Sequence, residues 1–104
     1  MEFITFGDWT KTVTESSKLT VVLFVRPGEK CCEAMQDALD SLEIVADGQV
    51  SAYKVDVYAE RILSQRFRAS IVPTIMIFKG WQKLFESICY SDRSAIESAI
   101  KKYI

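Results

Sequence analysis

The sequence predicts an α/β fold in which a five-stranded mixed sheet is flanked by four helices. The strongest strand pattern, residues 19–25, is apolar on both alternating sets of positions, as expected for a strand covered on both faces. Strand-like and helix-like segments then alternate along the chain, which predicts right-handed crossovers and parallel central strands. Only the Lys79-Gly80 turn separates the last two strands, so the last strand should be antiparallel. The 104 residues are expected to form a single domain.

The first half of the chain contains two predicted strands and two predicted helices. Residues 3–6 form a short strand candidate, and Asp8 can then cap a helix that continues to about residue 17. After the strand at residues 19–25, residues 30–46 carry apolar side chains at intervals of three and four, which is typical of an amphipathic helix. These apolar positions are Met35, Ala38, Leu39, Leu42 and Val45 or Ala46.

The second half of the chain contains three predicted strands and two further helices. The strands are residues 49–57, 74–78 and 83–89, and a short helix over residues 59–67 separates the first two. A closing helix follows, with Ser91 or Asp92 as its cap. Its apolar positions are Ile96, Ala99, Ile100 and Tyr103.

Charge and composition exclude several classes of protein. The 13 Lys and Arg and the 14 Asp and Glu side chains are scattered, whereas nucleic-acid binding depends on clustered positive charge. The chain contains no histidine, which excludes Cys/His zinc sites, Cys-His nucleophile pairs and Ser-His-Asp triads. We therefore expect no nucleic-acid partner, and the cysteine spacing predicts no metal and no cofactor.

The same composition predicts a cytoplasmic protein. The longest apolar run, residues 21–25, is far shorter than the ~20 residues of a membrane-spanning helix. Residues 1–10 lack the basic and apolar regions of a signal peptide. We expect neither membrane insertion nor export, and the three cysteines, an odd number, then favour reduced thiols over a disulfide framework.

Three segments carry a resemblance to a known family. They are VVLFVRPGEKCCEAM, which joins a strand to a helix, YKVDV in the third strand, and FRASIVPTIMIFKG around Pro73. Over essentially its full length the chain resembles the thioredoxin family, and a comparison without gaps keeps the helix stripe, Pro73 and the closing helix in register. The resemblance implies the thioredoxin-like fold. It also implies thiol–disulfide exchange by two cysteines of a CxxC motif at the start of a helix.

The CxxC motif is incomplete in this sequence, which reads EKCC. In the comparison without gaps, the attacking position of the family corresponds to Glu29 and the resolving position to Cys32. A carboxylate cannot attack a disulfide as a thiolate does. Moving Cys31 into the attacking position would rotate the apolar helix stripe by about 200° away from the core, so we reject that alignment. The family's buried acid beside the motif corresponds to Leu23.

The two adjacent cysteines allow more than one interpretation. Cys32 is either a small buried residue of the core or a thiol that takes part in exchange. Cys31 should be more exposed, and both cysteines are candidate catalytic residues that would act as single thiols. A disulfide between them would be strained, because adjacent Cα atoms lie about 3.8 Å apart and disulfides prefer about 5.5–6 Å.

The resemblance also implies a surface that holds a partner. In the family, the proline before a threonine follows a cis peptide bond and faces the start of the helix, and here this bond joins Val72 to Pro73. The backbone of Val72 would then be free to pair with an extended peptide. The expected binding residues are Gly28, Glu29, Lys30, Val72, Pro73, Cys89 and Tyr90.

Cys89 carries a separate hypothesis. It replaces a family glycine in the loop after the last strand, close to the expected binding surface. Its thiol is therefore either an ordinary side chain at the end of a strand or a disulfide partner for Cys31 or Cys32.

Two functions compete on this basis. The leading hypothesis is a thioredoxin-like protein with weak or monothiol exchange activity in cell redox homeostasis, whose substrate is a protein or peptide thiol or disulfide. The alternative is a non-catalytic binding module that holds an extended peptide or a partner protein beside the proline loop. A structural subunit that buries this loop in its own interface is a third option. We expect a monomer or a weak dimer.

Overall fold

The structure of the chain, a computed structural model, describes residues 1–88 and 92–104. Five strands form one mixed sheet in the order β1-β3-β2-β4-β5, which confirms the predicted sheet. The strands are β1 (Glu2–Phe3), β2 (Leu19–Val25), β3 (Ser51–Asp56), β4 (Thr74–Lys79) and β5 (Gln82–Ile88). The prediction for β2 is confirmed residue by residue, whereas β1 is shorter than residues 3–6 and begins one residue earlier.

The direction of β4 differs from the prediction. Strands β1, β3 and β2 are parallel, but β4 is antiparallel to β2, and β5 is antiparallel to β4. The helix between β3 and β4, α3 (Arg61–Arg66), has six residues and spans about 9 Å, whereas a six-residue strand spans about 20 Å. Such a helix does not carry the chain back along the sheet, so β4 begins at the edge where β3 ends.

The long helix predicted over residues 30–46 is divided into α1 (Lys30–Asp40) and α2 (Glu43–Ala46). Between them Leu42 adopts an extended backbone conformation and its side chain is fully buried. A residue of another helix stabilises the break. Arg93 donates hydrogen bonds from Nε to the Ser41 hydroxyl at 2.8 Å and from Nη2 to the Ser41 carbonyl at 3.2 Å. A distant arginine thus satisfies a helix end.

The two remaining predicted helices differ in their caps. The closing helix, α4 (Arg93–Lys102), begins as predicted, with the Asp92 carboxylate accepting the backbone N–H of Ala95 at 2.8 Å. The first predicted helix is only a π-helical turn, Thr10–Thr14, without a side-chain cap. The prediction that Asp8 caps it is wrong, since this carboxylate accepts the Thr5 hydroxyl at 3.0 Å instead.

Two apolar clusters cover the two faces of the sheet, because successive side chains of β2 point to opposite sides. Val21, Leu23 and Val25 join a first cluster with side chains of α1, α2 and α4, and this side is called the first face. Val22 and Phe24 join a second cluster with side chains of the π-helical turn and α3, and this side is called the second face. Both sets of β2 positions are buried, as the sequence pattern predicts.

The outermost strand on one side of the sheet, β5, is irregular. Ile77 of β4 pairs with Phe85, but Phe78 pairs with Lys83, so Leu84 is an additional residue in β5. Such a bulge bends the strand and increases its local twist.

The segments that contain the predicted site residues meet at one edge of the sheet, where β2 and β3 end and β4 begins. Val25 lies opposite Asp56, and Phe24 lies opposite Thr74, which in turn lies opposite Ile88. The loop before α1, the loop after β3 and the Val72-Pro73 segment therefore all leave or enter the sheet at this edge. Within the described residues, no helix is both long enough and apolar enough to cross a membrane.

Candidate functional site

The segment between β2 and α1 turns sharply before the helix starts. Gly28 has a φ of +86°, a value that glycine adopts without the steric penalty of a side chain. The backbone N–H of Glu29 then donates to the Arg26 carbonyl at 3.2 Å, and Glu29 takes the extended conformation of a residue that precedes a helix. This turn fixes where α1 begins and therefore which side each cysteine faces.

Cys32 is buried and belongs to the first cluster with Met35 and Leu39, with only 3% of its surface exposed. The backbone N–H of Arg26 donates a weak hydrogen bond to its sulfur at 3.5 Å. Burial raises the pKa of the Cys32 thiol above its usual value, the Arg26 N–H opposes this change, and the Glu29 carboxylate adds to it. The neutral thiol is therefore the favoured form near pH 7.

Cys31 lies in the same helical turn but is exposed, and both cysteines are free thiols. The reason is geometric, because adjacent side chains leave a helix about 100° apart. When Cys32 faces the cluster, its neighbour faces outward. The structure thus separates two residues that the sequence places together: one thiol packs in the core and the other meets solvent.

Glu29 is the residue that the comparison without gaps predicts for the attacking position. Its carboxylate lies 3.2 Å from the Arg26 guanidinium, and the two side chains are 32% and 45% exposed. The same guanidinium lies 5.3 Å from the ring centroid of Tyr58, in the loop after β3. Because a carboxylate does not exchange with a disulfide, this position offers charge and not redox chemistry.

The sequence pattern did not indicate Arg26 or Tyr58 as site residues. They meet because Val25 and Asp56, which precede them by one and two residues, are paired across β2 and β3. The spacing of Arg26 and Glu29 was the one available signal, since oppositely charged residues three apart often form a pair. Tyr58 gave no such signal.

The Val72-Pro73 segment lies at the same edge of the sheet. The peptide bond between these residues is cis, and Pro73 is buried. Val72 is partly buried and packs against the first cluster, to which Cys32 belongs. Two apolar side chains at this edge, Ile71 and Ile88, are each 52% exposed.

Of the three remaining predicted site residues, the structure describes one. Lys30 is exposed at the first position of α1. Cys89 and Tyr90 lie outside the described residues. Among residues 1–88 and 92–104, no group of three Cys, Asp or Glu side chains is arranged to hold a metal ion.

Comparison with known proteins agrees with this arrangement of strands and helices. The family model described as thioredoxin matches residues 1–102. The chain belongs to the thioredoxin family. Among curated relatives of this thioredoxin-family chain, the chloroplastic thioredoxin M4 of Arabidopsis thaliana is 27% identical over 98 residues, which cover 94% of this chain and 51% of the relative. The chain spans about half the length of the curated relatives it matches.

Solved thioredoxin structures share the fold. A thioredoxin of Malassezia sympodialis superposes with a TM-score of 0.81 at 23% identity, covering 98% of this chain and 91% of that one. A mutant thioredoxin from Halobacterium salinarum gives a TM-score of 0.86 at 14% identity, covering 99% of this chain and 88% of that one. At these identities the likeness establishes the thioredoxin fold alone.

Proposed function

We propose that this thioredoxin-family chain carries out monothiol exchange through Cys31. The supporting observation is the contrast between the two cysteines, of which Cys31 is exposed and Cys32 is 3% exposed with a raised pKa. Exchange requires a thiolate that reaches the disulfide of another molecule. Cys31 is accessible to a substrate disulfide. Cys32 is not accessible, and its raised pKa disfavours the thiolate. Cys32 acts in this proposal as a packing residue of the first cluster.

The exchange proceeds in two steps. Cys31 releases its proton to solvent, and the thiolate attacks one sulfur of a substrate disulfide, so that a bond forms between Cys31 and the substrate. The substrate disulfide breaks, and the leaving sulfur takes a proton from solvent. Because no second thiol of a CxxC motif is available, a small-molecule thiol such as glutathione then attacks the mixed disulfide. This second step frees Cys31 and leaves the small thiol on the substrate.

The proposed substrate is a protein or peptide that binds in an extended conformation along Val72 and Pro73. Exposed Ile71 and Ile88 support this choice, since they supply apolar contact at the same edge. Gly28, Glu29 and Lys30 would form the opposite side of the surface. We further propose a single domain, a monomer or weak dimer, and a reducing compartment such as the cytoplasm, in which thiols remain free.

The test is the position of the mixed disulfide. The reduced protein is incubated with oxidised glutathione and quenched in acid, and peptide mapping by mass spectrometry reports which cysteine is modified. Modification is expected at Cys31 in the wild type and in Cys32→Ser, and it should be absent from Cys32 in Cys31→Ser. Equal rates at Cys32 in that last variant would contradict the proposal.

The second candidate is a non-catalytic binding module. The Arg26–Glu29 ion pair favours it, because it places a satisfied charge where catalysis in the family requires a sulfur. In this case the Cys31→Ser/Cys32→Ser variant would retain peptide binding, and the wild type would show no turnover in an insulin reduction assay. Turnover that disappears in Cys31→Ser would exclude the module as the full function.

A further inference from the structure

A basic surface with exposed apolar side chains lies on the second face, beside α3. Leu63 of α3 packs in the second cluster, while Arg61, Ile62 and Arg66 are exposed. Ile62 and Arg66 are four residues apart and therefore lie on the same side of the helix. The Arg66 guanidinium lies 5.2 Å from the ring centroid of Phe6. The α3 surface is defined as Phe6, Arg61, Ile62, Arg66 and Arg68.

The positive charge of the α3 surface is compensated only in part. The sequence contains no Asp or Glu between Glu60 and Glu86. The Glu60 carboxylate accepts the backbone N–H of Phe6 at 2.8 Å, and its negative charge offsets one of the three positive charges. Among the described residues the ion pairs involve other side chains, and none involves Arg61, Arg66 or Arg68.

The α3 surface differs in charge from helix α1, in a chain whose net charge is −1. On the first face, the exposed side of α1 carries Glu33, Asp37 and Asp40. The molecule therefore presents an acidic helix on one face and a basic helix on the other. A local patch of one sign steers partners of the opposite sign toward it.

The apolar part of the α3 surface gives it a second feature of a protein interface. Phe6 is 41% exposed and Ile62 is 55% exposed. Phenylalanine and arginine are enriched at protein interfaces relative to the rest of the protein surface. A guanidinium stacked on a ring still has its edge free to donate paired hydrogen bonds to a carboxylate.

We propose that the α3 surface binds an acidic segment of a partner protein that carries an apolar side chain among its Asp and Glu residues. The apolar side chain packs against Phe6 and Ile62, and the carboxylates pair with the three arginines. The surface shares no residue with the cysteine segment or with Val72-Pro73, so this binding does not depend on thiol exchange. A second copy of the chain is a poorer occupant, because an acidic helix that binds a basic helix makes a head-to-tail contact, which forms an open chain of molecules unless the rotation between them closes a ring.

The test uses a labelled peptide, Glu-Glu-Leu-Glu-Phe-Glu-Glu, and fluorescence anisotropy. The Arg61→Glu/Arg66→Glu variant should bind at least about tenfold more weakly than the wild type, because two attractive charges become repulsive. Ile62→Ser should lose about threefold or more through the apolar contact alone. Binding should also weaken when salt rises from about 50 to about 200 mM, because exposed charges are screened.

Two matched controls separate this surface from the rest of the chain. Lys79→Glu/Lys102→Glu makes the same change of charge at exposed positions elsewhere and should bind within about twofold of the wild type. Cys31→Ser should bind as the wild type does, even if the proposed exchange activity is lost. Circular dichroism and thermal unfolding establish that each variant is folded.

Several results would overturn the proposal. One is that the wild type is not saturated at about 1 mM peptide, because this affinity is weaker than a specific site requires. Another is an equal loss in the Lys79→Glu/Lys102→Glu control. Tighter binding of a single-stranded oligonucleotide of equal charge would assign the surface to nucleic acid instead. Salt-sensitive self-association without peptide binding would assign it to a second copy.

Discussion

Replacing Glu29 with cysteine tests whether one residue separates this chain from dithiol exchange. Glu29 directly precedes α1 and lies three residues before Cys32, so the introduced thiol and Cys32 have the spacing of a CxxC motif. One helical turn brings such residues to bonding distance. The backbone of position 29 is already extended, with φ −85° and ψ 127°, and cysteine adopts this conformation without strain.

The stability change can be worked out from two terms. The lost Arg26–Glu29 ion pair is about a third to a half exposed, so its removal costs about 0–1 kcal/mol. In the oxidised state, closing a ring of about four residues stabilises the protein by about 2 kcal/mol in the chain-entropy model. The unfolding free energy of the oxidised Glu29→Cys variant should therefore lie about 2 kcal/mol above that of its reduced form and about 1–2 kcal/mol above that of the wild type.

The assay is insulin reduction with dithiothreitol as the electron source, followed by mapping of the disulfide. Glu29→Cys should exceed the wild type by at least about tenfold in rate, or about 1.4 kcal/mol in activation free energy. Glu29→Ser removes the same ion pair without adding a thiol and should match the wild type. The Glu29→Cys/Cys32→Ser variant should lose the gain.

A specific outcome would refute the geometric reasoning. If oxidised Glu29→Cys is folded but its new thiol stays free or pairs with Cys31, then Cys32 does not lie in the resolving position.

Because Glu29 is one of the causes that raise the pKa of Cys32, the variant should also lower that pKa, although burial remains the larger cause.

Three other predictions concern the cysteines and the last helix. The pKa of Cys32 is raised in the folded state. The buried thiol therefore contributes to stability below its ordinary pKa of about 8.5, and this contribution is lost at higher pH. In urea titrations at alkaline pH, the difference in unfolding free energy between the wild type and Cys32→Ala should shrink. A constant difference would argue against the raised pKa. At neutral pH, Cys31→Ser should change the unfolding free energy by less than about 0.5 kcal/mol, whereas Cys32→Ser should cost at least about 1 kcal/mol because it places a hydroxyl in an apolar cluster. Asp92→Ala should cost about 1 kcal/mol by removing the hydrogen bond to Ala95, measured against Asp92→Asn, which keeps an acceptor.

Local patterns were enough to predict much of this fold. β2 was predicted to the residue because both of its faces are buried, which leaves an unambiguous apolar run. The start of α1 and the inward direction of Cys32 followed from the register of its apolar stripe. The replacement of the attacking cysteine by Glu29 stays a prediction from the same register and from the family resemblance.

The features that were missed depend on contacts between distant residues. The apolar spacing passes from Leu39 to Leu42 without interruption, so it gave no sign of the break that Arg93 holds at Ser41. The direction of β4 depends on which edge of the sheet the chain reaches after the short helix α3. The contact of Arg26 with Tyr58 requires two strand ends to meet. Residues 89–91 lie outside the described part of the chain, and the hypothesis for Cys89 stays a prediction.

The outer strands of the sheet have a consequence for solubility at high concentration. β1 offers only two residues to a neighbouring chain, and β5 is interrupted at Leu84 and carries Lys83 and Glu86. Short, bulged and charged borders are poor templates for pairing between molecules. The chain can therefore bring its apolar strands together in the interior while giving amyloid-like stacking no long straight border on which to begin.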